Sequence, residues 1–494
     1  GVADYCYYNA ASSPRPVKIH GSDALSSGFN GSGYDDIFYT GNGVLHYVVS
    51  AGGNDYIVGS DGREYIVAGM HRAGEPWQND DDTVFAGSNS DIVTGGDGND
   101  QLHADDGSDN YEKPLPNEEA LTEDEKRGDL ISGQFGSDAI TGSAKKDVLT
   151  GGEGDDTIRA GAGDDLVLGD ANYVPSSMSN GISSTERTIE IRWLSNGGTE
   201  EFRNTEVAVP QDAAFKWTWS HDDKDFSVKP GKGARMAATD RVQGTGDDTL
   251  YGGAGNDWMA GQAGDDEVHG DDGDDTMFGD DAAPMPEGFA SGNDKLFAGK
   301  GRDKLHGGAG NDLLDASDDD NDKDELSGDE GDDQLNGGTG GDELNGGAGN
   351  DVLRAGKDKT LMDGGIDNDI YFGNSGDDTM TDQDGDDHYY LSPGMDDIKD
   401  FGMGHDGYHI SFTHLMPSGV TTIHDSNGKG FITYNGRAIT NDGVRAVAEN
   451  EWVTDTGAKL VRDGSNLVIT NGPKGSQGKV VFTGFFNSRL PSKP

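Results

Sequence analysis

A single cysteine, Cys6, among 494 residues excludes an intrachain disulfide framework and any cysteine-based metal site. Basic residues are scarce too: 37 Lys and Arg stand against 92 Asp and Glu, a formal net charge of -55. Phosphate backbones and anionic membrane surfaces need basic clusters, so no nucleic-acid partner is expected. No run approaches the ~18 consecutive apolar residues of a spanning helix, and membrane insertion and pore formation are not expected. Hydrophobic residues make up only 32% of the chain, which by composition alone describes a disordered, self-repelling polymer. Order therefore requires regular burial of the few apolar residues and a counter-charge for the carboxylates. The chain begins at Gly1, from which a processed or trimmed N-terminus is expected; no signal peptide is legible.

What is abundant is glycine and aspartate, in a fixed period. Residues 252–260 (GGAGNDWMA), 261–269 (GQAGDDEVH) and 270–278 (GDDGDDTMF) all fit GGxGxDxUx, with U a large apolar residue and the second glycine replaceable. The frame recurs at 95–103, 151–159, 160–168, 307–315, 328–336, 337–345, 346–354 and 373–381. With degenerate copies, about 25 windows lie between residues 31 and 399, and such a period marks a solenoid. The glycines allow a tight turn that a Cβ would forbid. The x-U-x half reads as a short strand with one inward side chain. Those inward positions include Val93, Leu102, Ile140, Leu149, Ile158, Val167, Leu250, Met259, Val268, Met277, Leu296, Leu305, Leu314, Leu335, Leu344, Leu353, Met380 and Ile398. Stacked turns would bury them as a continuous ladder, so a low apolar fraction can still build a core.

The same stacking places sixth-position aspartates above one another at roughly the 4.7–4.9 Å strand spacing, where uncompensated charge would force them apart. A hard divalent cation held by oxygen alone resolves the conflict. Ca2+ accepts 6–8 carboxylate and carbonyl oxygens in tolerant geometry, whereas Mg2+ demands a stricter octahedron. About 20 such ions would bring roughly +40 of charge.

On these nonapeptides the chain resembles the calcium-binding parallel β-roll of the repeats-in-toxin (RTX) family. The resemblance implies an all-β fold, a parallel β-roll or β-helix solenoid of calcium-binding repeats, holding multiple Ca2+ ions, about 15–25. It implies side-chain ligands at the sixth-position aspartates: Asp55, Asp82, Asp91, Asp100, Asp138, Asp156, Asp165, Asp248, Asp257, Asp266, Asp275, Asp294, Asp303, Asp312, Asp333, Asp342, Asp351, Asp378 and Asp387. Preceding glycines would add carbonyls. Weak or absent binding is expected at residues 41–49 and 59–67, whose sixth residues are His46 and Glu64, and at 142–150, where Lys145 and Lys146 intrude. The family also implies calcium-triggered folding after type I export, hence an extracellular, secreted or surface-associated location.

The chain divides into an N-terminal segment (1–30), a first roll part (31–170, loops near 69–79 and 113–127), an inserted β-subdomain (171–238), a second roll part (239–400, loops near 280–290 and 316–323) and a β-rich tail (401–494). In the insert, RTIEIRWLSNGGTEEFRNTEVAV reads as two strands about Asn196-Gly197-Gly198, and FKWTWSHDDKDFSVK adds alternation with Trp217 and Trp219. These aromatics form either a local core or a contact for a cell surface, glycan or neighbouring subunit. A short helix is predicted in NEEALTEDEKR after Asn117. Asp318 to Asp324 resembles the start of an EF-hand loop with Lys323 where glycine belongs. DFGMGHDGYHISF resembles the segment that closes RTX rolls, and the tail resembles the β-rich end of secreted RTX proteins, departing from it at Asn487 to Pro491.

No catalytic signature competes. None of the 12 histidines precedes glutamate, so HExxH is missing, as are GxSxG and a Walker A loop. Paired carboxylates are too frequent to identify a glycosidase. The expectation is a non-enzymatic, calcium-rigidified building block of a filament, surface layer, biofilm matrix or adhesion. Unpaired solenoid edges favour self-association into a homopolymer. The alternative is a non-catalytic scaffold or fragment of a larger secreted hydrolase or toxin.

Overall fold

One inward apolar residue per short strand, separated by glycine-rich turns, produces a parallel β-roll in a computed structural model of the chain. The structure describes all residues except 1–4, 22–25, 43–44, 70–79, 90, 106–126, 171–216, 223–224, 231–245, 281–291, 318–320, 392–393, 412–419, 441–442, 472–478 and 486–494. Residues 1–292 and 293–494 form two compact units.

In the first unit, successive strands alternate between two parallel sheets. One stacks Ile92–Asp97, Arg127–Phe135, Lys146–Glu153, Leu166–Leu168, Trp258–Ala260 and Thr276–Phe278. The other stacks Thr83–Gly87, Gln101–His103, Ala139–Thr141, Thr157–Ala162, Thr249–Ala254 and Glu267–Asp272. The eighth-position ladder lies between them: Val93, Leu102, Leu149, Ile158, Val167, Leu250, Met259, Val268 and Met277 are fully buried. The flanking positions of Leu166–Leu168 and Trp258–Ala260 are buried as well, a second covered face that the repeat does not encode.

The large insert enters without breaking the register. Thr157 pairs with Thr249 and Leu166 with Trp258, as neighbouring coils do elsewhere. Gly169 and Asp170 on one side, and Gly246 to Tyr251 on the other, are halves of one nonapeptide. Within the insert, Trp217–Asp222 and Asp225–Pro230 form an antiparallel hairpin, as the alternation in FKWTWSHDDKDFSVK predicts. The strands expected about Asn196, the helix after Asn117 and most of the loop segments lie outside the described residues.

Coil stacking reaches beyond the 31–400 span read from the repeats. Tyr5–Asn9 runs parallel to Ser26–Asn30, and Lys18–His20 to Ile37–Tyr39. Parallel pairing needs only an inward apolar residue, as buried Phe29 shows, and not the acidic turn.

The second unit repeats the plan. One sheet contains Lys304–Ala309, Glu325–Glu330, Glu343–Ala348, Leu361–Ile366, Thr379–Asp382, Asp397–Asp400 and Val420–Asp425. The other contains Lys295–Phe297, Leu313–Asp315, Gln334–Asn336, Val352–Arg354, Ile370–Phe372, His388–Leu391, Gly407–Ile410 and Phe431–Tyr434. The inward ladder changes from leucine and methionine to Tyr371, Tyr389 and Tyr408, all buried. Lys479–Phe482 then pairs parallel with Val420–Asp425 and opens an antiparallel meander through Asn466–Asn471, Ala458–Asp463, Glu451–Thr454 and Val444–Ala448. Phe482 meets Tyr408 edge-on at 5.2 Å, so the tail caps this end of the ladder. Among the described residues no helix is long and apolar enough to cross a membrane.

Candidate metal centres

The nonapeptide's glycines act for two different reasons. Second and fourth positions take positive φ, as Gly152 (127°) and Gly154 (128°) show, where L side chains are strained. The first-position glycine instead permits close approach. A Cβ built on Gly151 would collide with Oδ2 of Asp156 and stand 2.6 Å from the Gly169 carbonyl oxygen. The same arrangement holds at Gly133, with Asp138 Oδ2 and the Gly151 carbonyl, and at Gly346, with Asp351 Oδ2 and the Gly364 carbonyl.

Each sixth-position carboxylate divides its work between its two oxygens. Oδ1 accepts the backbone N–H of the sixth residue one coil earlier. In the first unit one chain of such bonds runs from Asp36 through Asp55, Asp82, Asp100, Asp138, Asp156 and Asp248 to Asp266. A second runs from Glu64 through Asp91, Asp129, Asp147, Asp165 and Asp257 to Asp275. In the second unit Asp294, Asp312, Asp333, Asp351, Asp369, Asp387 and Asp406 form one chain. Asp303, Asp324 and Asp342 form another, and Thr360, Asp378 and Asp396 continue the pattern.

Oδ2 has no such donor. In Asp100, Asp138, Asp156, Asp165, Asp248, Asp257, Asp333, Asp351 and Asp378 it is buried without a hydrogen-bond partner. In Asp100, Asp138, Asp156, Asp248, Asp257, Asp333 and Asp351 it faces the cradle lined by the first-position glycine and the next coil's carbonyl, while Asp165 has Ala160 in the first position. Desolvation pushes these carboxyls upward: Asp351 to about 6, Asp333 to about 7, Asp55 and Asp156 to about 8, Asp82 and Asp248 to about 10. Burying one unpaired ionised carboxylate costs several kcal/mol, and these columns repeat that burial coil after coil. A donor set of carboxylate and carbonyl oxygens without nitrogen or sulfur fits a hard cation of calcium's class.

All nineteen aspartates expected from the sequence stand in these columns. Sequence reasoning missed Asp36, Asp129, Asp324, Asp369, Asp396 and Asp406, and set Asp147 aside with the weak turn at 142–150. Asp324 follows three extra residues in its coil, so it was read as part of an EF-hand-like loop. Its carboxylate instead accepts the Asp303 N–H, and neighbouring Lys323 pairs with Glu343 at 2.7 Å. Asp369 was legible, in GGIDNDIYF, but tyrosine in the eighth place disguised it.

Two members are satisfied by protein groups. Asp147 Oδ2 accepts the Ser143 N–H, with the Ser143 hydroxyl 3.1 Å from Oδ1. Asp36 accepts N–H groups from Val17 and Ser32 and the Ser32 hydroxyl. Serine in the second position closes the carboxylate from within, a signal present in the sequence but not read. Lys146 lies beside Asp164, and the charge of Lys145 acts on Asp147. Glu64 is buried in its column, with Ser60 and Thr40 hydroxyls donating to Oε1.

A two-sheet parallel roll with repeating all-oxygen cradles defines a calcium-binding solenoid. The family of the RTX calcium-binding nonapeptide repeat matches residues 48–70, 78–111, 132–167, 243–277, 290–322, 327–358 and 363–398. The chain is an RTX-type calcium-binding protein, and its repeats bind multiple Ca2+ ions. No curated protein matches it. The repeats themselves are non-catalytic.

Proposed function

We propose that this protein is a secreted structural building block, unfolded where calcium is scarce and made rigid outside the cell by about 15–25 ions. The observation that carries the reading is the run of buried aspartates whose Oδ2 atoms have no partner and face carbonyl-lined cradles. Extracellular calcium modules work at dissociation constants of roughly 0.1–1 mM, a range suited to weak sites in series. The fit with type I export follows: a chain of net charge -55 stays extended until cations arrive. A non-enzymatic role accords with a composition spent on turns and a narrow ladder.

Self-association into a homopolymer belongs to the same reading. Tyr5–Asn9 and Lys18–His20 each pair on one side only among the described residues, whereas the last coil of the second unit carries its own antiparallel cap. A second copy is the proposed partner of those edges. Contact with a cell surface or glycan is assigned to the 171–238 insert. Sedimentation velocity in millimolar Ca2+ and in chelator tests the role. Calcium-dependent large species support it; a folded, persistent monomer would overturn the building-block role and leave the roll intact.

A further inference from the structure

The first-position glycine gives way to aspartate in the last coils of the second unit. The register that aligns Gly347 with Gly365 and Asp363 with Thr381 continues as Asp382, Asp400 and Asp425. At Gly346 a side chain would meet the Asp351 carboxylate and stand 2.7 Å from the Gly364 carbonyl oxygen. At Asp382 a side chain is present, and it is a second carboxylate.

The eighth position changes with it. Tyr371 replaces the leucine of earlier coils; its hydroxyl accepts the Gly364 N–H at 2.7 Å and lies 2.8 Å from Asp382 Oδ1. Asp369, Asp382 and Asp387 are buried, at 0%, 0% and 1% exposure, and carboxylate oxygens from all three lie within 4.8 Å of one another. Oδ2 of Asp369 and Oδ2 of Asp382 have no hydrogen-bond partner.

Tyr389 supplies an independent pointer. Its ring is stacked between Tyr371 and Tyr408 at 4.7 and 5.3 Å, and the outer two hydroxyls bond Asp382 and Asp400. The hydroxyl of Tyr389 is buried and has no partner. Three carboxylates, two of them with orphaned oxygens, stand beside an unpartnered hydroxyl and form an oxygen-only cage that offers three negative charges when ionised, against one carboxylate in each glycine-type cradle.

We propose that Asp369, Asp382 and Asp387 form a distinct three-carboxylate calcium site that fills before the glycine-type turns. Affinity in oxygen sites rises with ligand charge and rigidity, and this site has more of the first and a stacked tyrosine wall for the second. The proposal rests on the calcium reading above. A related cluster, Asp400, Asp406 and Asp425, stands one coil further on.

The test is equilibrium calcium binding to the full chain, paired with Tb3+ luminescence excited through tyrosine. The expected result is a small tight class filling at free Ca2+ roughly ten- to a hundredfold below the bulk. Tyrosine-sensitised Tb3+ emission should rise in that first phase. D382N keeps the side-chain shape and should remove one ion from the tight class; D382G restores the glycine-type turn and should do the same. D156N, in a glycine-type coil of the first unit, should leave the tight class intact. A wild-type chain that fills all sites in one weak phase would overturn the proposal, as would a tight class unchanged in D382N and D382G while bulk binding persists. Absence of calcium binding altogether would overturn the wider reading with it.

Discussion

At the scale of the residue, the account turns on two oxygens of one side chain. Oδ1 of Asp165 accepts the Asp147 N–H, while its Oδ2 is buried without a partner. Asp147 itself has both oxygens bonded by protein groups. D165N should therefore lower calcium stoichiometry measured by equilibrium dialysis, and D147N should leave it unchanged. Gly151→Ala places a methyl against the Asp156 carboxylate and should destabilise the calcium-loaded fold by about 1–3 kcal/mol in thermal melts, with weaker local binding.

The same carboxylates set a pH dependence. Their folded values lie above the ordinary 3.8, so the calcium-free fold is favoured below that value and loses stability as pH rises through about 6 at Asp351, 8 at Asp156 and 10 at Asp248. After calcium removal by dialysis, β-signal in circular dichroism should be greater near pH 4 than near pH 8. With calcium present, binding displaces those protons and should tighten as pH rises. The period in the sequence pointed to Asp165 because aspartate recurs at a fixed place. Ser143 and Ser32 went unread because capping a carboxylate from within depends on where a backbone amide points.

At the scale of the element, the nonapeptide tolerates interruption because its two halves meet through the stacked coils on either side. Asp156 and Asp248 are 92 residues apart yet keep the contact that 18 residues give Asp248 and Asp266. Splicing Asp170 to Thr245 rejoins one nonapeptide, and the shortened chain should keep its calcium-dependent β-signal and Tm. A collapse of both would show that the insert is needed to hold the roll. Strand and ladder positions were legible because each strand needs one large apolar residue every nine places. The terminal coils were not, because Phe29 and Ile423 are buried there without the acidic turns that made the other coils visible.

At the scale of the whole molecule, a chain with 32% hydrophobic residues and net charge -55 has little to hold it together except its ladders and the ions between its turns. Net stabilities of folded domains are only about 5–15 kcal/mol, less than the cost of a few unpaired buried carboxylates. On the proposed reading, calcium binding and folding are one equilibrium near neutral pH. Far-UV circular dichroism of the full chain at pH 7.5, titrated from chelator into Ca2+ with Mg2+ as the control, tests this most directly. The account predicts a disordered spectrum in chelator and in Mg2+, turning cooperatively to β as Ca2+ rises. A β spectrum that is already complete in chelator would contradict it.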